Sequence, residues 1–224
     1  MHRFLILFLL LASSGISAQD ITWQTDLRAR YLVVESGDTL DIDFGGGGSV
    51  LYSESPLLTA FMAESFRELI PNLAEGDSES AVMVNMERME ILLRVRSGRN
   101  AIAANVDITQ LSGRQQPSGT ETVRAISADR QVTVLGESYP VYALRGDTEE
   151  KTSVRAAFDL RFPMDYSLME GVFSQFSGSK MTFDFPPGLL IYAENASGDV
   201  VLQLLEVRPE TRKAHINPTR ITAQ

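Results

Sequence analysis

Apolar and polar positions alternate with period two along much of the chain. In Val154-Arg155-Ala156-Ala157-Phe158-Asp159-Leu160 the even positions are apolar, and Arg155 and Asp159 fall on the other face. Met89, Ile91, Leu93 and Val95 alternate with Arg88, Glu90, Arg94 and Arg96. Ile102, Ala104, Val106 and Ile108 do the same against Asn105 and Asp107. Successive side chains of a strand point to opposite faces, so the pattern predicts half-buried strands of an antiparallel sheet with one face in water. Residues 82–96 also have the Met and Glu content of a helix, but their alternation favours two strands. Turn residues separate the strands at Ser97-Gly98-Arg99-Asn100, Asp129-Arg130, Arg145-Gly146-Asp147 and Asn195-Ala196-Ser197-Gly198-Asp199. Polar loops are expected at 71–80 and 112–121.

Two segments have a helical period instead. Ser55-Pro56 is a helix start, with Ser as N-cap and Pro at the first helical position. Leu58, Phe61, Met62, Phe66, Leu69 and Ile70 then share one stripe, and Pro71 ends it. A second helix is expected from about Asp165 to Phe176, with Tyr166, Met169, Val172 and Phe173 on one side. The tail after Pro209 reads as extended or frayed. No repeat of 20 to 50 residues is visible, which excludes solenoids and propellers. The expected fold is mainly β (α+β): a curved antiparallel sheet or half-barrel, with one or two helices packed in or near its concave face.

The chain begins with His2-Arg3, the apolar run Phe4–Ala12, and small or polar residues ending at Ala18. These are the three parts of a secretory signal peptide, with cleavage after Ala18. The apolar run is about half the roughly 20 residues that a bilayer span needs. A signal peptide at 1–18 and a single β-rich domain at 19–224 follow, and the location expected is periplasmic or secreted. No transmembrane segment remains after cleavage, and without cysteine no lipid can be attached at the cut.

Composition narrows the chemistry. The 44% hydrophobic content is that of a folded domain. Formal net charge is −9, which repels phosphate backbones and so argues against nucleic acid, and which disfavours anionic membranes. Absence of cysteine removes disulfides, thiol catalysis and thiolate metal sites. Arginine outnumbers lysine 17 to 3. Beyond the leader the only histidine is His215, between Ala214 and Ile216, a poor context for a Ser-His-Asp triad or for zinc.

Other candidate features have plain readings. Gly45-Gly46-Gly47-Gly48 lacks the Lys-Ser/Thr pair of a phosphate loop and reads as a flexible hairpin tip. Asp38, Asp41 and Asp43 lack the closing glutamate of a calcium loop and read as a solvated acidic strand face. Glu149-Glu150, and Asp165 with Glu170, are the carboxylate pairs that glycosidase-type chemistry would need, but nothing beyond proximity groups them. Asn195-Ala196-Ser197 is a glycosylation sequon, of consequence only in a eukaryotic secretory pathway. No catalytic residue, metal site or cofactor is assigned. The Phe, Met and Tyr content between Phe158 and Tyr192 reads as core, with an apolar ligand groove as the other reading.

From about Val82 onward the chain resembles the DUF4412 group of secreted bacterial proteins, which in turn resemble the half-barrel lipoprotein carriers of LolA and LppX type. The residues are Val134-Leu135-Gly136-Glu137 through Leu144, the strand Val154–Leu160, Phe162-Pro163-Met164-Asp165-Tyr166 through Glu170, Pro187-Gly188-Leu189-Leu190-Ile191-Tyr192, and Gly198 through Val207. Residues 19–81 match poorly. The resemblance implies a non-catalytic envelope protein that binds an apolar small molecule, a lipid or a lipoprotein in a half-barrel; Phe158, Tyr166, Met169 and Phe173, apolar residues on or near the second helix, are the ligand-binding residues expected. A structural or interaction protein of the envelope, its concavity filled by its own side chains, is the alternative. An enzyme ranks third.

Overall fold

A computed structural model describes residues 21–58, 79–97, 100–110, 119–147, 154–177, 179–216 and 219–220. The strands are β1 Ile21–Val33, β2 Asp38–Gly45, β3 Val50–Ser53, β4 Glu79–Asn85, β5 Glu90–Ser97, β6 Asn100–Asp107, β7 Thr120–Val134, β8 Glu137–Gly146 and β9 Val154–Asp159. After helix α1, Ser167–Ser177, come β10 Lys180–Asp184, β11 Leu189–Asn195, β12 Val200–Ile216 and β13 Thr219–Arg220. The chain is mainly β, and the strands form one open, curved sheet ordered β10-β7-β8-β9-β11-β12-β1-β2-β3-β4-β5-β6-β13. Two antiparallel meanders, β1–β6 and β7-β8-β9-β11-β12, are joined where β1 pairs with β12, from Ile21 opposite Ile216 to Val33 opposite Leu202. Each outer edge is closed by a short parallel strand, β10 on β7 and β13 on β6.

Register shows which side chains share a face. Leu27, Phe44, Leu51, Val84, Ile91 and Val106 run across one side of six adjacent strands. Arg28, Asp43, Tyr52, Met83, Leu92 and Asn105 run across the other. Helix α1 covers the first face, where Leu168, Met169 and Val172 pack with Val82, Met86, Ile91, Leu93, Val106 and Ile108. The second face is buried too: Trp23 stacks on Tyr52 at 4.3 Å, above Ala81, Met83 and Leu92. The solvated face expected for residues 82–96 is therefore absent at the centre of β4 and β5. Alternation identifies the two faces but does not say whether the second one is covered.

A bulge between Thr25 and Leu27 turns β1 over, so that Trp23 belongs to the second face while Leu27, Ala29 and Tyr31 enter the main core. The tail past Pro209 is the second half of β12 and is paired with β1 up to Ile216. Asp129-Arg130 is an irregularity inside β7, and the turn into β8 is Leu135-Gly136, both with positive φ as a two-residue hairpin of this twist requires. The Asn195–Asp199 turn closes β11 onto β12, with Gly198 N–H donating to Asn195 O. The chain turns helical at 56–58, as the Ser55-Pro56 start predicts; residues 59–70, over which the helix is expected to continue, lie outside the described residues.

Gly45–Gly48 is a packed turn, correcting its reading as a loose tip. A Cβ on Gly45 would lie 2.2 Å from the Gln24 carbonyl oxygen, so only glycine lets β2 end this close to β1. Gly47 O accepts the Asp165 N–H at 2.8 Å, which ties the turn to the segment leading into α1.

Candidate functional site

Residues 158–188 build the region richest in possible chemistry. Phe158 is the penultimate residue of β9, and Asp165 stands two residues before α1, its Oδ1 accepting the Ser167 N–H at 3.0 Å and the Ser167 hydroxyl at 2.6 Å. Tyr166 donates its hydroxyl to Gly188 O at 2.7 Å. Beyond β10, residues 185–188 fold back against the end of β9. A Cβ on Gly188 would stand 2.7 Å from the Asp159 carbonyl, so glycine is what lets this segment seat there.

The rings form a continuous string. Tyr142 contacts Phe158 (6.0 Å between centroids), Phe158 meets Tyr166 edge-on (5.7 Å), and Tyr166 meets Phe185 edge-on (5.3 Å). Phe185 stacks on Phe183 (5.1 Å), which meets Phe173 edge-on (5.3 Å). Two clefts flank it. The first, about 360 Å³, is lined by Gly47, Met164, Asp165, Tyr166, Phe183 and Phe185 among others. The second, about 280 Å³, lies against Tyr139, Tyr142, Phe158, Leu160, Arg161 and Pro186. The Phe185-Pro186-Pro187 segment divides them, with Phe185 and Pro187 facing the first and Pro186 the second.

One end of the second cleft is polar. Arg161 donates through Nη1 to Glu137 at 2.7 Å and through Nη2 to Asp159 at 2.6 Å, with Nε also on Asp159 at 2.9 Å. The Tyr139 hydroxyl lies 3.1 Å from both Glu137 and Asp159. Asp159 is only 2% exposed. Burial pushes its carboxyl up, but hydrogen bonds from the Arg161 side chain and backbone and from Tyr139 outweigh that and hold it below the usual carboxylate range. Burial and the same two carboxylates push the Tyr139 hydroxyl up to about 12, so it stays protonated.

The four residues expected to bind a ligand do not converge on one pocket. Tyr166 lines the first cleft and Phe158 the second. Met169 packs into the core beneath α1, and half-exposed Phe173 lines neither cleft. The helical stripe that groups Met169 with Phe173 spans both a buried side and a rim. Phe183, Phe185 and Pro186 complete the linings, and their signal in the sequence is Phe-Asp-Phe-Pro-Pro-Gly at 183–188, a dense aromatic and proline run.

The acidic strand face also differs from expectation. Asp41 and Asp43 share a side of β2, but Asp43 is 3% exposed and receives Arg212 at 2.6 Å. Asp41 accepts from Arg30 at 2.7 Å and Arg28 at 3.0 Å, and these bonds, led by Arg30, pull its carboxyl down to about 2. With Ser53 and Ser55 they border a polar pocket of about 210 Å³. Among the described residues no three acidic or histidine side chains group as a metal site. Asp165 and Glu170 both serve as acceptors for backbone N–H groups, of Ser167 and Phe183. Glu149-Glu150 lies outside the described residues, as does the His215 side chain.

No family profile matches the chain, and no curated protein matches it. Two solved structures of PNGF-II, in the C2 and P21 space groups, align over 84% of this chain with TM-scores of 0.34 and 0.35 and identities of 9% and 8%. The chain spans 28% of the length of that protein. Superposition this loose carries no argument about fold or activity. No helix among the described residues is long and apolar enough to cross a membrane.

Proposed function

We propose that this is an exported, non-catalytic protein of the bacterial envelope that binds an apolar ligand, or the apolar part of a lipidated partner, at the aromatic clefts of a half-barrel. The observation carrying this reading is the six-ring string from Tyr142 to Phe173, which runs beside two clefts of about 360 and 280 Å³. Cavities of this volume stand at the small end of ligand sites, and apolar walls with a few polar groups are their usual make-up. The ligand would be a small apolar molecule or one end of a longer chain. The carboxylates nearest the rings are tied to arginine or to the helix start, which leaves no evident acid–base pair.

The test is uptake of a neutral apolar fluorophore such as diphenylhexatriene by residues 19–224, alongside native mass spectrometry of the protein from its own host. Saturable uptake is expected, weakened severalfold by Phe185→Ala. Absence of both uptake and any co-purifying molecule would sink the reading. The alternative, a scaffold without ligand, is favoured by the exposed apolar side chains Leu160 (61%), Leu135 (51%) and Ile126 (46%). It predicts envelope-protein partners in a pull-down that Leu135→Asp or Ile126→Asp removes.

A further inference from the structure

The two clefts differ in charge, and the difference bears on what the second one accepts. Its apolar walls are Tyr139, Pro140, Tyr142, Phe158, Leu160 and Pro186. Its charged groups are Glu137, Asp159 and Arg161, two carboxylates against one guanidinium. Arg161 is the single cation of this lining, and it is already committed. Both Nε and Nη2 bond buried Asp159, Nη2 also meets the Tyr139 hydroxyl, and Nη1 is on Glu137. An incoming carboxylate or phosphate would have to break the Arg161–Glu137 pair and then sit beside both displaced acids. Glu137 is different. It is 54% exposed and keeps lone pairs beyond its bonds to Arg161 and Tyr139, so it can accept from a ligand without losing either. Tyr142 and Phe158 also line the cleft, and an aromatic ring attracts a cation seated over it. Net charge of −9 works in the same direction over longer range.

We infer that the second cleft binds apolar molecules bearing a positively charged nitrogen, an aryl- or alkylammonium held with its body against Tyr142, Phe158 and Pro186 and its N–H groups on Glu137, and that it rejects the corresponding carboxylates. This rests on the apolar-ligand reading and narrows it to a ligand class.

A matched set of probes tests it: 1-naphthylmethylammonium, 1-naphthylmethanol and 1-naphthoate, titrated calorimetrically into residues 19–224 at pH 7 and low salt. The ammonium is expected to bind about tenfold more tightly than the naphthoate, with the alcohol between them. Added salt should shrink that ratio. Glu137→Gln, a change at an exposed side chain, should bring the ammonium to the level of the alcohol, whereas Glu87→Gln, the same change at an exposed carboxylate on the turn between β4 and β5, should leave the ratio unchanged. Equal or tighter binding of naphthoate overturns the inference while the apolar-ligand reading stands. A preference for ammonium that Glu137→Gln does not alter overturns its assignment to this cleft. If no member of the set binds and diphenylhexatriene is not taken up either, both readings fall.

Discussion

Glu194, Asp159 and Asp43 are each almost wholly buried, and each lies against the guanidinium of an arginine that reaches the surface. Glu194 accepts from Arg130 at 2.6 Å, from the Tyr192 hydroxyl at 2.8 Å and from Arg155 at 3.1 Å. The excess of arginine over lysine has a physical use here, because a planar fork with several fixed donors satisfies a carboxylate that a single ammonium could not. Removing the arginines strands the buried carboxylate, so the double variant Arg130→Ala, Arg155→Ala is expected to cost about 3 kcal/mol in urea denaturation. Asp41, Asp159 and Glu194 all have carboxyl pKa values below their ordinary range. Their folded forms bind protons less readily than the unfolded chain, so the stability they add is present above the unfolded carboxylate pKa and is lost as pH falls through the folded one. Melting temperature should hold steady down to about pH 4 and drop towards about pH 2, the value to which Asp41 is pulled. In Asp41→Asn the drop should be shallower. None of this burial is legible in the sequence: Asp159 sits at a polar position of a clean alternation, and it becomes an interior position only when Arg161 folds back over it from two residues on and Tyr139 arrives from β8.

Helix α1 has a second duty besides covering the core. Strand β10 is the outermost on its side of the sheet, and the Lys180 N–H points inward, to Gly119 O at 3.0 Å. The N–H groups of Met181 and Phe183 therefore point outward, where an unguarded edge would invite another strand. Ser174 Oγ takes the first at 2.8 Å and Glu170 Oε1 the second at 2.9 Å. Two helix side chains thus occupy the donors of an edge strand. The double variant Ser174→Ala, Glu170→Ala should expose both and raise concentration-dependent association in sedimentation relative to the parent; an unchanged profile would refute this role. At this scale the sequence is informative. The helix is placed within two residues by its apolar spacing, and the strands β4, β5, β6 and β9 by their alternation. The parallel strand β10 escapes because Lys180–Asp184 is short and its pairing with β7 is non-local.

The two meanders depend on one seam. The first five residues of β1 find their partners on β12 only beyond Pro209, with Thr25 opposite Arg212 and Ile21 opposite Ile216. Arg212 also holds Asp43 and lies over the Tyr52 ring, on which Trp23 is stacked. Removing residues 209–224 should therefore expose Trp23, the chain's single tryptophan, giving a red-shifted emission and a melting temperature lower by many degrees. Unshifted emission would mean that the seam contributes little. Its register could not be read locally, because no turn connects the two strands and the tail's alternation is interrupted by Pro209.

That seam also sets a timetable. A hairpin can form as soon as its second strand leaves the ribosome, but β1 has to wait for a partner about 180 residues away, and loop closure over such a distance makes folding slow. Until β12 emerges, the N-terminal meander lacks one neighbour and the sheet stays in two pieces.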